Sequence, residues 1–243
     1  MQYLLRNKII LSFLIIISNG FAVFSQTDNG LNLPDHDSKD FHFGIALGTN
    51  RAYYHFSHNP SFLTQDSVLG IESIQSNGIN MGWLVNMRLS DYFDLRTYPI
   101  NLIFTEKAFE YRFKYPDPFV KEDSITIRKV QGITLALPLQ VKFCSDRINN
   151  LKVFMMAGGK VEYDFAATAG EKNADRQIKL NKLDYGVEAG IGFHFYFPVF
   201  VLTPELKVGW GFKNVHSRNE ASKYSNIIDE IKSRTISLSL IIE

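Results

Sequence analysis

Seven charged residues sit at two-residue spacing within apolar stretches: Arg88, Lys142, the pair Lys160 and Glu162, Glu188, and the pair Glu205 and Lys207. A strand has a side-chain period of two, so each shares a face with other polar or small residues while apolar neighbours take the opposite face. The chemistry open to such a face is ion pairing. Both signs are present, and charges removed from water persist only when paired and hydrogen-bonded. Catalytic or metal chemistry is harder to assemble. The chain has no HExxH, Walker loop, CxxC pair or GxSxG elbow. His55 and His58 are three apart but have no Cys or carboxylate pair nearby, so no metal site is expected. His194 shares a face with Glu188, and a satisfied polar network is its expected role. Asp91 and His216 fall at opposite ends of the expected fold. No catalytic residue and no cofactor follow from the sequence.

The elements that position these residues are strands. Ile133, Leu135, Leu137, Leu139, Val141 and Phe143 share one face; Thr134, Ala136, Pro138, Gln140 and Lys142 share the other. The same alternation predicts strands over about 41–49, 79–89, 92–105, 126–143, 151–165, 182–197, 199–212 and a last one ending at Ile242. Pro99 marks a bulge or an interruption in the third. Phe154 and Met156 fall on the polar side of the fifth. Connections alternate in length: 50–78, 106–124, 166–181 and 213–232 are long, whereas those near 90, at 145–150 and at 197–199 are short. Eight antiparallel strands so connected form an up-and-down meander. Strands of ten or more residues also suit the ~9–11 tilted residues needed to cross a bilayer.

Which face meets water is decided by the small residues. Gly44, Gly48, Gly82, Gly158, Gly186, Gly190, Gly192, Gly209 and Gly211 share the face that carries the charges. An eight-stranded barrel is just wide enough inside for side chains, so glycines there leave room for a few large polar ones. The opposite arrangement, a soluble barrel, would crowd Trp83, Trp210 and most phenylalanines inside and turn glycines to water, where they have no packing reason to be. The expected fold is therefore all-β: an eight-stranded antiparallel transmembrane β-barrel, with long outer loops, short periplasmic turns and an interior plugged by ion pairs.

The first 25 residues read as a secretory signal peptide: Arg6 and Lys8, the apolar run Ile9–Ile17, and a small residue at Ser25. Residues 26–40 read as a flexible periplasmic lead-in and 41–243 as the barrel. Loss of Arg6 and Lys8 with the signal takes the formal charge from +1 to −1, which argues against nucleic acid as a partner. The single cysteine, Cys144, excludes an intrachain disulfide.

Leu137-Pro138-Leu139-Gln140-Val141-Lys142-Phe143, the turn Ser145-Asp146-Arg147-Ile148-Asn149-Asn150, and Ala157-Gly158-Gly159-Lys160 with Asp164 resemble the small outer-membrane β-barrel family of PorT type. The resemblance implies a cell outer-membrane location and a non-enzymatic part in type IX secretion of cargo proteins and in gliding. Partners would be outer-membrane lipid and other secretion-system envelope proteins, with no small-molecule substrate. Ser145, Asp146, Arg147, Asn149 and Asn150 are then the expected periplasmic contact. The alternative is an adhesin or envelope-stability barrel working through its outer loops.

Overall fold

Alternation of the two faces becomes a closed ring of strands in the computed structural model, which describes residues 30–59, 68–116, 123–167, 180–217, 225 and 227–243. The strands are β1 (Phe41–His58), β2 (Val68–Ile74), β3 (Ser76–Arg88), β4 (Phe93–Phe113), β5 (Ile125–Cys144), β6 (Leu151–Asp164), β7 (Leu183–Tyr196), β8 (Val201–Gly211) and β9 (Ile228–Ile242). Every pairing is antiparallel. The order β4-β3-β1-β9-β8-β7-β6-β5 closes through β4–β5, so eight strands make the barrel. The ninth, β2, pairs with the far end of β4 beyond β3. It is set off from β3 by Gln75 alone, so β2 and β3 together act as one broken strand.

The sequence-based reading requires correction at the outer ends. β1 runs to His58, β4 to Phe113, and β9 begins at Ile228, where loops were expected. The reason is a change of phase. Along β1 the outward positions are apolar through Leu47 and then become Thr49, Arg51, Tyr53, His55 and Ser57. Inward positions change the other way, from Gly44 and Ala46 to Tyr54 and Phe56. Above the membrane the barrel wall meets water outside, so its greasy face turns in. The extended wall encloses a cluster of Tyr54, Phe109, Tyr111, Ile227, Ile228 and Ile231, with Tyr54 stacked on Phe109 at 5.6 Å between ring centroids.

Pro99 lies in a bulge. Between Thr97 and Leu102 the register of β4 slips by one residue against β5, and it slips likewise against β3. A bulge places one extra residue on one strand and needs no ladder bond there, which suits a proline. The three short turns lie at one rim, together with residues 33–40 and Glu243.

Candidate functional site

The interior within the membrane is a polar network layered on glycines. A Cβ at Gly158 would overlap the carbonyl oxygen of Leu139 and the Cα of Gln140. At Gly192 the Phe154 ring occupies the space a side chain would need. Within this network the side chain of Arg96 is fully buried. Its Nη1 donates to Glu205 Oε2 at 2.7 Å, and its Nη2 reaches Glu243 at 3.5 Å. Glu205 also accepts from Tyr98 Oη at 3.3 Å and pairs with Lys207 at 3.1 Å. Lys160 pairs with Glu162 at 2.6 Å, and Gln140 donates to Glu188. Full pairing is what keeps such buried charges tolerable.

Lys142, one of the charges the alternation turns inward, pairs with Asp94 at 2.9 Å and donates to His194 Nε2 at 3.1 Å. An ammonium only donates, so Nε2 is the acceptor and His194 Nδ1 carries the proton toward Thr203 Oγ1, 2.7 Å away. His194 is thus a relay within the network. His216 bonds Ser225 through Nε2 at 2.8 Å and has no part in that relay.

Arg88 is the further correction. It has the inward parity but ends β3 at the rim, where its guanidinium turns to Asp91 in the adjacent turn, 2.5 Å away and mostly exposed. Water is within reach there, so nothing drives the charge into the barrel. Sequence reading missed Arg96, Asp94 and Tyr98, all on β4. The extra residue at Pro99 shifts parity halfway along that strand, so no single alternation fits it. Phe154 and Met156, which broke the pattern of β6, pack inside against Cys144. Arg96 and Lys142 lie over the Phe154 ring at 5.1 and 4.9 Å.

At the periplasmic rim the expected contact turn is engaged by the chain itself. Residues 33–40, expected to be a flexible lead-in, fold into turns with bonds from His36 N to Leu33 O and Lys39 N to His36 O. Asp37 accepts from Tyr196 Oη at 2.6 Å and pairs with Lys152 at 3.3 Å and Arg147 at 3.4 Å. Arg147 also donates to Leu33 O and Asn150 Oδ1, and its guanidinium lies 3.6 Å from the Tyr196 ring centroid. Burial alone would raise the Asp37 pKa. The Tyr196 hydrogen bond and the two cations outweigh it and hold the carboxyl below its usual value. Asn149 takes a φ of 52°, the left-handed conformation of a tight turn, while Ser145 and Asp146 stay exposed. The expected signal peptide, 1–25, lies outside the described residues.

Around the barrel, Phe41 to Leu47, Ile79 to Trp83, Leu137 to Phe143, Ile191 to Phe195 and Leu238 to Ile242 present exposed large apolar side chains at alternate positions. A continuous apolar belt of this extent on the outside, with ion pairs inside, is a lipid-facing barrel. Residues 24–217 match the family described as an outer membrane protein beta-barrel domain. The chain belongs to that family. It is accordingly an outer-membrane protein. Among solved structures, Neisserial surface protein A is similar over 84% of this chain and 99% of its own, at 12% identity and a TM-score of 0.43. OprG of Pseudomonas aeruginosa is similar over 82% and 92%, at 10% identity and a TM-score of 0.42. Ail, the attachment invasion locus protein of Yersinia pestis, is similar over 84% and 98%, at 10% identity and a TM-score of 0.36. Likeness at this level is one of fold alone. A comparison with curated proteins found no match.

On the outer side, this family member carries a wall above the lipid belt. Register sets Arg112 between Gly70 and Ile125, and Glu110 between Glu72 and Ile127. Arg112 pairs with Glu72 at 3.0 Å and Glu110 at 3.2 Å, and Lys129 with Glu106 at 2.8 Å. Leu69, Ile125 and Ile127 are more than half exposed on this wall. β5 meets β6 only from Thr134 onward, with Phe165 N bonding Ile133 O just above. Among the described residues, the backbone of Ile125, Ile127, Lys129 and Gln131 on that side has no ladder partner.

Proposed function

We propose that this protein is a non-enzymatic outer-membrane barrel of the adhesin or envelope type, binding another protein through its outer wall. The carrying observation is the wall of β2, β4 and β5. It has an apolar core of its own, an outward face mixing ion pairs with exposed Leu69, Ile125 and Ile127, and a strand edge at Ile125–Gln131 that has no ladder partner among the described residues. Exposed apolar side chains next to charges mark binding surfaces, and an unpaired edge invites an added strand. The interior beneath is packed with paired charges, which supports a mechanical rather than a conducting role. The test is binding of cells displaying the protein to protein-coated surfaces. Replacing Ile125 and Ile127 with Ser, and Lys129 with Pro to spoil the edge, should abolish binding while heat-modifiable gel migration persists. Unchanged binding would remove the reading.

A second reading keeps the type IX secretion role, supported by the resemblance at Ser145–Asn150. In it Ser145, Asp146 and Asn149, which face outward from the rim, contact an envelope partner, while Arg147 and Asn150 hold residues 33–40. Deleting the gene would then trap cargo in the periplasm, and normal export would exclude it.

A further inference from the structure

Two outward arginines stand above the lipid belt with no acidic partner among the described residues. On β1 the outward series is Phe41, Phe43, Ile45, Leu47 and Thr49, then Arg51. On β9 it is Ile242, Leu240, Leu238 and Ile236, then Arg234. Register brings the endings together: Arg51 is the partner of Ile236 on one side and Asn77 on the other, and Tyr53 is the partner of Arg234. Arg51 and Arg234 are therefore diagonal neighbours on one face, within reach of long side chains. Lys232 beside them pairs with Glu230 at 2.8 Å, but neither arginine pairs with a carboxylate among the described residues. Arg234 Nη1 donates to the carbonyl oxygens of Gly211 and Ser233. Its Nε and Nη2 have no hydrogen-bond partner among the described residues.

An apolar groove of about 630 Å³ runs along the lipid face and includes Ala157, Ala189, Val208 and Trp210. Val141, Ala157, Ala189, Val208, Ile236 and Arg51 are successive cross-strand partners from β5 round to β1. The row begins near the periplasmic end of β5 and climbs with the strand tilt to Arg51. Its five steps span roughly 24 Å at ~4.8 Å each. Trp210, at the groove's outer end, is the direct partner of Arg234.

We propose that this face binds a phosphorylated outer-leaflet lipid, its phosphate held by Arg51 and Arg234 and an acyl chain lying in the groove below. Charge complementarity selects the occupant. Two neighbouring guanidiniums without a counter-charge among the described residues, at the height where apolar side chains give way to polar ones, fit an anionic headgroup; arginine matches phosphate by paired N–H···O bonds. The phosphate site lies on β1 and β9 and the groove on the lipid-facing parts of β5 to β8, below the outer segments of β2, β4 and β5, so the proposal stands whether or not that wall binds protein.

The test uses the full chain in phosphatidylcholine nanodiscs doped with lipid A, read by native mass spectrometry. One lipid A per barrel should be retained as the surrounding lipid is stripped. Arg51→Gln with Arg234→Gln should lower retention roughly 25-fold, taking about fivefold per basic residue near a membrane surface. Ala189→Phe, which fills the groove without changing charge, should also lower it. Arg51→Gln alone, at an exposed position, serves if the double variant misfolds. Equal retention of dephosphorylated lipid A, unchanged retention in these variants, or inorganic phosphate displacing the lipid completely at millimolar concentration would overturn the proposal.

Discussion

The same strands enclose two interiors of opposite character. Within the membrane, β1, β4 and β9 present Ala46, Arg96 and Ser239 inward and grease outward. A few residues further out they present Tyr54, Phe109 and Ile231 inward and Arg51, Arg112 and Lys232 outward. Backbone geometry is continuous; only the surroundings differ. Lipid outside leaves no reward for burying apolar groups, so the inside holds what lipid rejects. Water outside restores the hydrophobic driving force, and the inside becomes an ordinary core. Lys107 marks the boundary, its ammonium 4.2 Å from the Tyr54 ring centroid and bonded to Ser233 Oγ.

The comparison breaks most severely at the glycines of the lower half. Gly158→Val drives a side chain into the backbone of β5, and we expect no heat-modifiable form on gels, because the ring cannot close. Arg96→Met comes next. It leaves Glu243 without its buried cation and Glu205 with Lys207 alone, and should cost about 3–5 kcal/mol by urea unfolding in vesicles. In the upper half Phe109→Ala opens a cavity, at a similar cost of about 3–5 kcal/mol, but one confined to the wall. Protease sensitivity of the outer segments should rise while the gel shift of the barrel is retained. Loss of the gel shift would mean the two interiors are not separable.

A paired substitution sharpens the same boundary from outside. Leu206→Arg, halfway along β8, should destabilise by about 2–4 kcal/mol, whereas Ser57→Arg at the outer end of β1 should cost no more than about 1 kcal/mol. Smallest is the periplasmic rim. The Asp37 pKa is lowered on folding, so its contribution is present above the unfolded value of 3.8 and fades as pH falls through the lower folded value. Asp37→Asn should weaken the seating of residues 33–40 by less than about 1 kcal/mol, since solvent screens the pairs. Proteolysis within 33–40 should accelerate in the variant at neutral pH and match the wild type only in strong acid.

Much of the lower barrel is legible residue by residue. The runs Ile133–Phe143 and Leu183–Phe197 alternate over their whole length because one solvent, lipid, lies outside throughout, and both appear as full strands, β5 and β7. What escapes is wherever that condition changes. Residues 50–58 and 106–113 read as polar loops because their greasy positions are those that belong inside. Arg96 hid behind the shifted parity at Pro99, and the outward turn of Arg88 depends on where the barrel ends. Asp37 holds Arg147 across more than a hundred residues of chain, and no local pattern announces such a contact.

By itself, then, the sequence determined the strand count, the greasy and polar faces, the outward belt and the presence of charges of both signs inside, because a period of two is a local property. Only the tertiary structure decided which acid meets which base, where the membrane ends on each strand, and that the wall continues above it over a second core. Those depend on register between strands distant in the chain, and register is set by closure of the whole ring.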